Sequence, residues 1–305
     1  MAISRSNLAL LKYFGVEGEE RLAKKPSFAI ALNQLEVNVT VEPCVDPVVR
    51  ELDIDAAVDL ERIADFCERL FFVFGLSGGF VLRSRANFPI AFGFAGSAAG
   101  FAAISRAFAE AYNLNLNDNR FYDLLAWESG SALRSLAGYD FVFWDPVRRL
   151  IQDFSAGFKF PLAVVSLLPK GSSKKEVSSF SLHELVSQSP LYSERVLNFE
   201  SRFAELQLAM RNLDWQEFSR IVELEALGML AQAWVIEQPQ KLVNETTLQL
   251  WAKIKNWAKL NSINLALTCD AGPALHLVCE PGSLDLIRNQ LSNWPEIEKL
   301  FISRI

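Results

Sequence analysis

The chain has 305 residues, half of them hydrophobic, with 30 Lys and Arg against 36 Asp and Glu and a net charge of −6. That composition carries enough apolar surface for one large or two moderate cores, which excludes a disordered polymer. The acidic balance gives no whole-surface attraction for nucleic acid or an anionic membrane, so an anionic ligand would need a local positive site.

The N-terminal stretch carries Arg5 and Lys12 and lacks the long apolar core and cleavage site of a secretory signal. Residues 35–40 alternate Leu, Val and Val with Glu, Asn and Thr, which predicts a strand with one wet face. In 60–74 the apolar set Leu60, Ile63, Ala64, Cys67, Leu70, Phe71 and Phe74 recurs at three and four residues, the spacing of an amphipathic helix. The uncharged run 88–104 is short for a membrane span and interrupted by glycine; a helix is expected from about residue 97 to Tyr112. A strand over 139–144, the break at 157–161 and a strand over 162–168 place a domain boundary near residue 160. The second half then reads helix, helix, helix, strand, strand, helix, strand. Val196, Phe199, Phe203, Leu206, Met210 and Leu213 form one helical stripe, and Leu248, Trp251, Ile254 and Ala258 form another behind the capping candidate Asn244. Strands over 263–268 and 274–279 flank a turn, and 284–291 reads as a last helix. This mixture predicts an α+β fold, with domains 1–160 and 161–305.

The cysteines, Cys44, Cys67, Cys269 and Cys279, form no CxxC pair, and only His183 and His276 stand beside them. Neither a zinc site nor a disulfide framework is expected, which fits a reducing, cytoplasmic setting. His276 on a buried strand reads as a satisfied core residue and His183 as helix surface. Trp251 and Trp257 read as helix packing, and the acceptor patterns at Asn38 and Asn244 as coincidence in a chain with no export signal.

Three segments carry chemistry. Residues 87–100 run from a turn-forming proline through Gly93, Ala95, Gly96, Ser97 and Ala98 into a helix. Small residues and free N–H groups at a helix N-terminus suit a phosphate chain, and Ser97 has a hydroxyl for Mg²⁺; a tightly packed Gly/Ala helix explains the spacing equally well. There is no GK[ST] after the glycines, so this is not a Walker A loop. Ser129, Gly130, Ser131 and Arg134 form a second small-residue turn with a guanidinium, either an anion cradle or an ordinary loop. Asp270, in the turn Asp270-Ala271-Gly272-Pro273, is either a carboxylate placed for a hydroxyl or turn chemistry.

Taken in order, these segments resemble the mevalonate diphosphate decarboxylases of the GHMP kinase superfamily. Residues 7–15 are similar to that family's NIAxxKYWG, 87–100 to NFPTAAGLASSAAG, 129–135 to SGSACRS, 270–273 to DAGPN, and 174–179, more weakly, to KKxVSS. The resemblance implies a two-domain GHMP-kinase fold: an N-terminal domain like ribosomal protein S5 domain 2 and a ferredoxin-like C-terminal domain. It implies an ATP- and Mg²⁺-dependent decarboxylation of mevalonate 5-diphosphate, without nucleic acid or membrane, and a homodimer. By the same resemblance Asp270 acts at the 3-hydroxyl, Arg134 grips the substrate carboxylate and Lys12 completes the charged pocket. Tyr13, Ser129, Gly130, Ser131 and Ser179 line the substrate. Gly93, Ala95, Gly96, Ser97 and Ala98 hold the nucleotide, with Ser97 on magnesium.

Four positions depart from the pattern. Val16 stands where the family has a lysine, Phe180 where bacterial members often have an arginine, Gly96 for the first of two serines, and Ala274 for an asparagine. Two missing cations weaken the hold on a diphosphate, and Lys24, Lys25 or the lysines of 170–175 are candidates to compensate. Mevalonate 5-phosphate as substrate, a mevalonate 3-kinase that stops after phosphorylation, and a decayed nucleotide-binding relative therefore stand as alternatives.

Overall fold

The computed structural model describes residues 1–21, 23–54, 59–173 and 178–305, with the side chain of Ser179 also outside the description. In the first half, β1 (Ala2–Leu11) runs antiparallel along β2 (Ser27–Cys44). Next come β3 (Arg50–Ile54), α1 (Leu60–Phe74) and β4 (Gly79–Ala86); β3 pairs parallel with β4, and β4 pairs antiparallel with the C-terminal part of β2. After α2 (Gly96–Ala111) and α3 (Asn119–Ala137), β5 (Phe141–Asp145) pairs with the N-terminal part of β2 and β6 (Leu150–Asp153) pairs with β5.

The alternation read at 35–40 is real: Leu35, Val37 and Val39 are buried and their neighbours partly exposed. It stops over 27–32 because that end of β2 is covered on both faces. There Phe28 packs against Phe141, Phe154, Phe158 and Phe203 at ring separations of 5.3 to 6.2 Å. Each buried ring is worth on the order of 1.5–3 kcal/mol, so this cluster anchors the sheet to the segment after β6 and to the helix that carries Phe203. Helix α1 has the predicted limits, with the Asp59 side chain accepting the Arg62 N–H at its start.

The second half opens with β7 (Ala163–Pro169) and then five helices: α4 (Ser179–Val186), α5 (Tyr192–Leu197), α6 (Phe199–Arg211), α7 (Trp215–Trp234) and α8 (Glu245–Leu260). It ends with β8 (Leu265–Thr268), β9 (Leu275–Cys279), α9 (Leu284–Ser292) and β10 (Ile297–Arg304), in an antiparallel sheet of order β10-β7-β9-β8. The architecture is α+β, as expected, but richer in helix before β8. The stripe over 196–213 is split at Asn198, which ends α5 and starts α6. Helix α7 did not stand out by periodicity because its buried face carries Glu225 and Gln232 among the apolar residues. Asn244 caps α8 through Thr247 N–H at 2.8 Å, as read. One apolar core spans the two halves and a second lies within the second half, between its sheet and helices α8 and α9, and the Asn33 amide donates to the carbonyl of Arg304 at 2.8 Å. No helix among the described residues is long and apolar enough to cross a membrane.

Candidate active site

A cavity of about 390 Å³ gathers most of the singled-out residues: Lys12, Tyr13, Gly93, Ala95, Gly96, Ser97, Ala98, Ser129, Gly130, Ser131, Arg134 and Asp270 all line it. Among these, Lys12 lies just past the end of β1, and its ammonium donates to Asp270 Oδ1 and to the carbonyl of Ala9, both at 2.8 Å. Burial raises the Asp270 carboxyl, but Lys12 through its charge and hydrogen bond, together with the His276 ring and Arg134, outweighs it, so the group is held below the usual carboxylate range. Arg134 is buried in α3, donating through Nε to Asn7 Oδ1 at 2.9 Å and through Nη1 to Ser27 Oγ at 2.6 Å. Both partners are neutral, so its charge is left for a ligand anion.

The segment 129–135 is not the free turn expected. It lies inside α3, which breaks at Ser129 (φ −161°, ψ 92°) and restarts, so residues 130 and 131 open a second helical run. Their N–H groups therefore belong to a helix start, which favours anions. Gly130 is required here, because a Cβ would fall 2.3 Å from Trp144 Cη2. Ser129 Oγ and Ser131 Oγ are 3.1 Å apart.

Helix α2 starts behind Ala95, which has a left-handed backbone (φ 50°) and provides no side-chain cap. Strain of this kind in a non-glycine residue costs on the order of 1–3 kcal/mol and concentrates at ligand clamps. The loop before α2 packs on the Asp270 turn. The Ala274 N–H donates to the Phe92 carbonyl at 2.9 Å, and a Cβ on Gly272 would lie 2.4 Å from the Gly93 nitrogen. The small residues thus bring two loops remote in sequence into backbone contact.

His276 is the satisfied core residue it was read as, and it braces this contact. The Gly93 carbonyl, 3.1 Å from Nε2, can only accept, so Nε2 carries the proton and Nδ1 accepts from the Ser166 hydroxyl at 2.7 Å. Burial pushes the imidazole down to about 4 from 6.5. The neutral ring therefore stabilises the fold fully above pH 6.5, and that contribution is lost as pH falls toward 4. Urea unfolding of wild type against His276→Gln is expected to show the wild type losing about 3 kcal/mol relative to the variant between pH 7 and pH 4.

Several expectations need correction. His183 is not simple helix surface: its ring stacks on Tyr13 at 4.5 Å, and its Nδ1 accepts the Gly15 N–H at 3.0 Å. None of Lys24, Lys25 and Lys170 lines the cavity: Lys24 pairs with Glu17 and Lys25 is buried against Glu225. Residues 174–177, including Lys174 and Lys175, and the Ser179 side chain lie outside the described residues. Val16 and Phe180 do line the cavity. Two arginines that sequence reasoning missed stand beside Phe180, Arg21 at 3.3 Å and Arg62 at 5.1 Å from its ring centre, and both also line the cavity. Arg21 pairs with Glu184 and Arg62 with Glu128. An arginine–aromatic stack has no sequence spacing, so no local signal pointed to these two.

Fold and cavity together define a two-domain α+β protein of the GHMP-kinase type, with an uncapped helix start, a buried guanidinium and a Lys–Asp pair facing one space. Residues 4–153 match the diphosphomevalonate decarboxylase-like N-terminal domain and residues 164–299 the mevalonate 5-diphosphate decarboxylase C-terminal domain; the chain belongs to this family. It is 31% identical over 209 residues to a diphosphomevalonate decarboxylase of Ganoderma lucidum, a match covering 63% of this chain and 51% of the relative. The match thus spans about half the length of that relative. A mevalonate diphosphate decarboxylase from Legionella pneumophila superimposes with TM-score 0.83 at 27% identity, covering 98% of this chain and 99% of that one. MDDEF, solved with MVAPP, AMPPCP and magnesium, superimposes with TM-score 0.87 at 23% identity over 99% of this chain and 96% of that one, a likeness of fold.

Proposed function

We propose that the protein is an ATP- and Mg²⁺-dependent decarboxylase of mevalonate 5-diphosphate, yielding isopentenyl diphosphate for isoprenoid biosynthesis. The observation that carries this reading is the Lys12–Asp270 pair at 2.8 Å in the same cavity as Arg134. Asp270, kept ionised by Lys12, orients or deprotonates the tertiary 3-hydroxyl as it takes the γ-phosphoryl group of ATP. The C3–O bond then breaks with its electron pair leaving on phosphate, and the bond to the carboxylate supplies the electrons of the new double bond as carbon dioxide departs. Arg134 grips that carboxylate before it is lost, and Asp270, once the hydroxyl proton has passed on to the transferred phosphate or to water, is again an anion that favours positive charge growing at C3.

Residues 93–98 supply N–H groups to the nucleotide phosphates. For magnesium the chain offers the Ser97 hydroxyl in the first turn of α2, a hard oxygen donor suited to the ion when phosphate oxygens complete its shell. The ion would neutralise charge on the transferring phosphoryl group. Tyr13, Ser129, Gly130 and Ser131 border the substrate, the side chain of Ser179 lying outside the described residues, and Arg21 and Arg62, each shared with a carboxylate, are the cations standing nearest Phe180. We take residues 1–160 and 161–305 as the two domains. A homodimer is proposed on the family resemblance, and a cytoplasmic setting on the four free cysteines.

Incubation with 1-¹⁴C-labelled mevalonate 5-diphosphate, ATP and magnesium is expected to release labelled carbon dioxide and ADP in equal amounts. ADP without carbon dioxide would overturn the decarboxylase reading in favour of a 3-kinase. Faster release from mevalonate 5-phosphate would move the specificity to the monophosphate.

A further inference from the structure

Among the described residues, two of the most heavily buried charges, Glu225 and Lys25, lie outside the cavity, where the carboxylate grips the main chain of Lys12. Glu225 of α7 is fully buried, and its Oε2 accepts the Lys12 N–H at 3.1 Å. The same oxygen accepts from Lys25 Nζ at 2.9 Å and from Arg195 Nη2 at 3.2 Å. Both cations turn back onto Lys12: Lys25 donates to its carbonyl at 2.7 Å and Arg195 at 3.4 Å. Arg202 pairs with the other Glu225 oxygen. Two turns along α7, Gln232 donates to the Phe14 carbonyl at 3.2 Å and to the Val186 carbonyl at 2.8 Å, and it accepts from Arg195.

Lys12 needs such a hold because β1 ends at Leu11, whose pairing with Phe28 is the last rung of the ladder. Past that rung the sheet fixes neither Lys12, whose ammonium meets Asp270, nor Tyr13, whose ring borders the cavity. A buried ion cluster is weak evidence for stability, since burying its charges offsets much of their attraction. What this one does supply is direction: the N–H and C=O of Lys12 both end on it.

We propose that Glu225, with Lys25 and Arg195, is a positioning device that sets the Lys12 main chain so that its ammonium meets Asp270. Glu225 does not touch the cavity and acts only through Lys12. This inference rests on the decarboxylase reading, in which Asp270 works at the 3-hydroxyl.

The test is the charge-balanced double variant Glu225→Gln/Lys25→Met, which removes one anion and one cation and keeps an acceptor for the Lys12 N–H. Wild type is assayed first; absence of turnover there refutes the underlying reading and not this inference. In the folded variant kcat is expected to fall roughly ten- to a hundredfold, the cost of a misplaced reacting group. Calorimetric binding of mevalonate 5-diphosphate should change less than about threefold, because Arg134 and the helix starts are untouched. A readout independent of turnover is the ¹³C titration of the Asp270 carboxyl, expected to move up toward its ordinary range as Lys12 loses its placement. An unmoved titration, or kcat within about twofold of wild type, would overturn the proposal. Should the double variant fail to fold, Lys25→Met alone applies the same criteria, with Lys25→Gln, which keeps an N–H for the Lys12 carbonyl, expected to recover part of the loss.

Discussion

Replacing Asp270 with asparagine is expected to lower kcat by about 10²- to 10⁴-fold, the range for loss of a positioned acid–base group. The side chain keeps its size and an oxygen for Lys12 but loses the charge. Two consequences separate this from a general disturbance. The Lys12 ammonium is 3% exposed, and without its counter-charge the cavity becomes more positive, so mevalonate 5-diphosphate should bind no more weakly than to wild type. Steady-state kinetics then show kcat falling with KM unchanged or lower. Because Lys12 holds the Asp270 carboxyl below its ordinary range, the carboxylate form persists as pH falls through 5, and wild-type kcat should show no loss from protonation of this group above that pH. A variant retaining a tenth or more of wild-type kcat would remove Asp270 from the chemistry.

Arg134→Lys is expected to lower kcat/KM by roughly 10²-fold, and Arg134→Gln by roughly 10³-fold, from charge-assisted hydrogen bonds worth about 1.5–3 kcal/mol each. Arg134 divides its donors: Nε and Nη1 are committed to Asn7 and Ser27, which aim the rest of the planar fork into the cavity. Lysine restores the charge but not the fork. The substrate carboxylate must stay in line with the C3–O bond, so the loss should fall on kcat as well as KM. Calorimetry with mevalonate 5-diphosphate separates the two: a variant that binds tenfold more weakly but turns over at the wild-type rate would limit Arg134 to anchoring. The lost partners of Asn7 and Ser27 are buried, so thermal melting of both variants should accompany the kinetics.

Helix α1 was legible to the residue, because the period of its apolar positions is a local property. The same holds for the Asn244 cap of α8, and the alternation at 35–40 marked the middle of β2 but not its ends. Where burial comes from several sides, local pattern failed: the second half of β1 and the start of β2 are covered on both faces and show no alternation, and α7 hides polar residues on its buried face. The small-residue segments could be recognised individually, but their spacing left a packing explanation open for each. Only the contact of Gly93 with Gly272, where a Cβ on either cannot be fitted without displacing backbone, shows why both are small.

By itself, then, the order of residues determined the elements with a single buried face, the family of the chain and the small set of groups able to handle an anion. Tertiary structure decided which cations are available. Lys25 carries the same charge as Lys12, yet one is sealed against Glu225 and the other faces Asp270. Arg21 and Arg62, unremarkable in sequence, are brought to Phe180 by segments far apart in the chain. The physical reason is that a charge takes its role from the partner and the solvent it meets after folding, and neither is encoded within a turn or two of its own position.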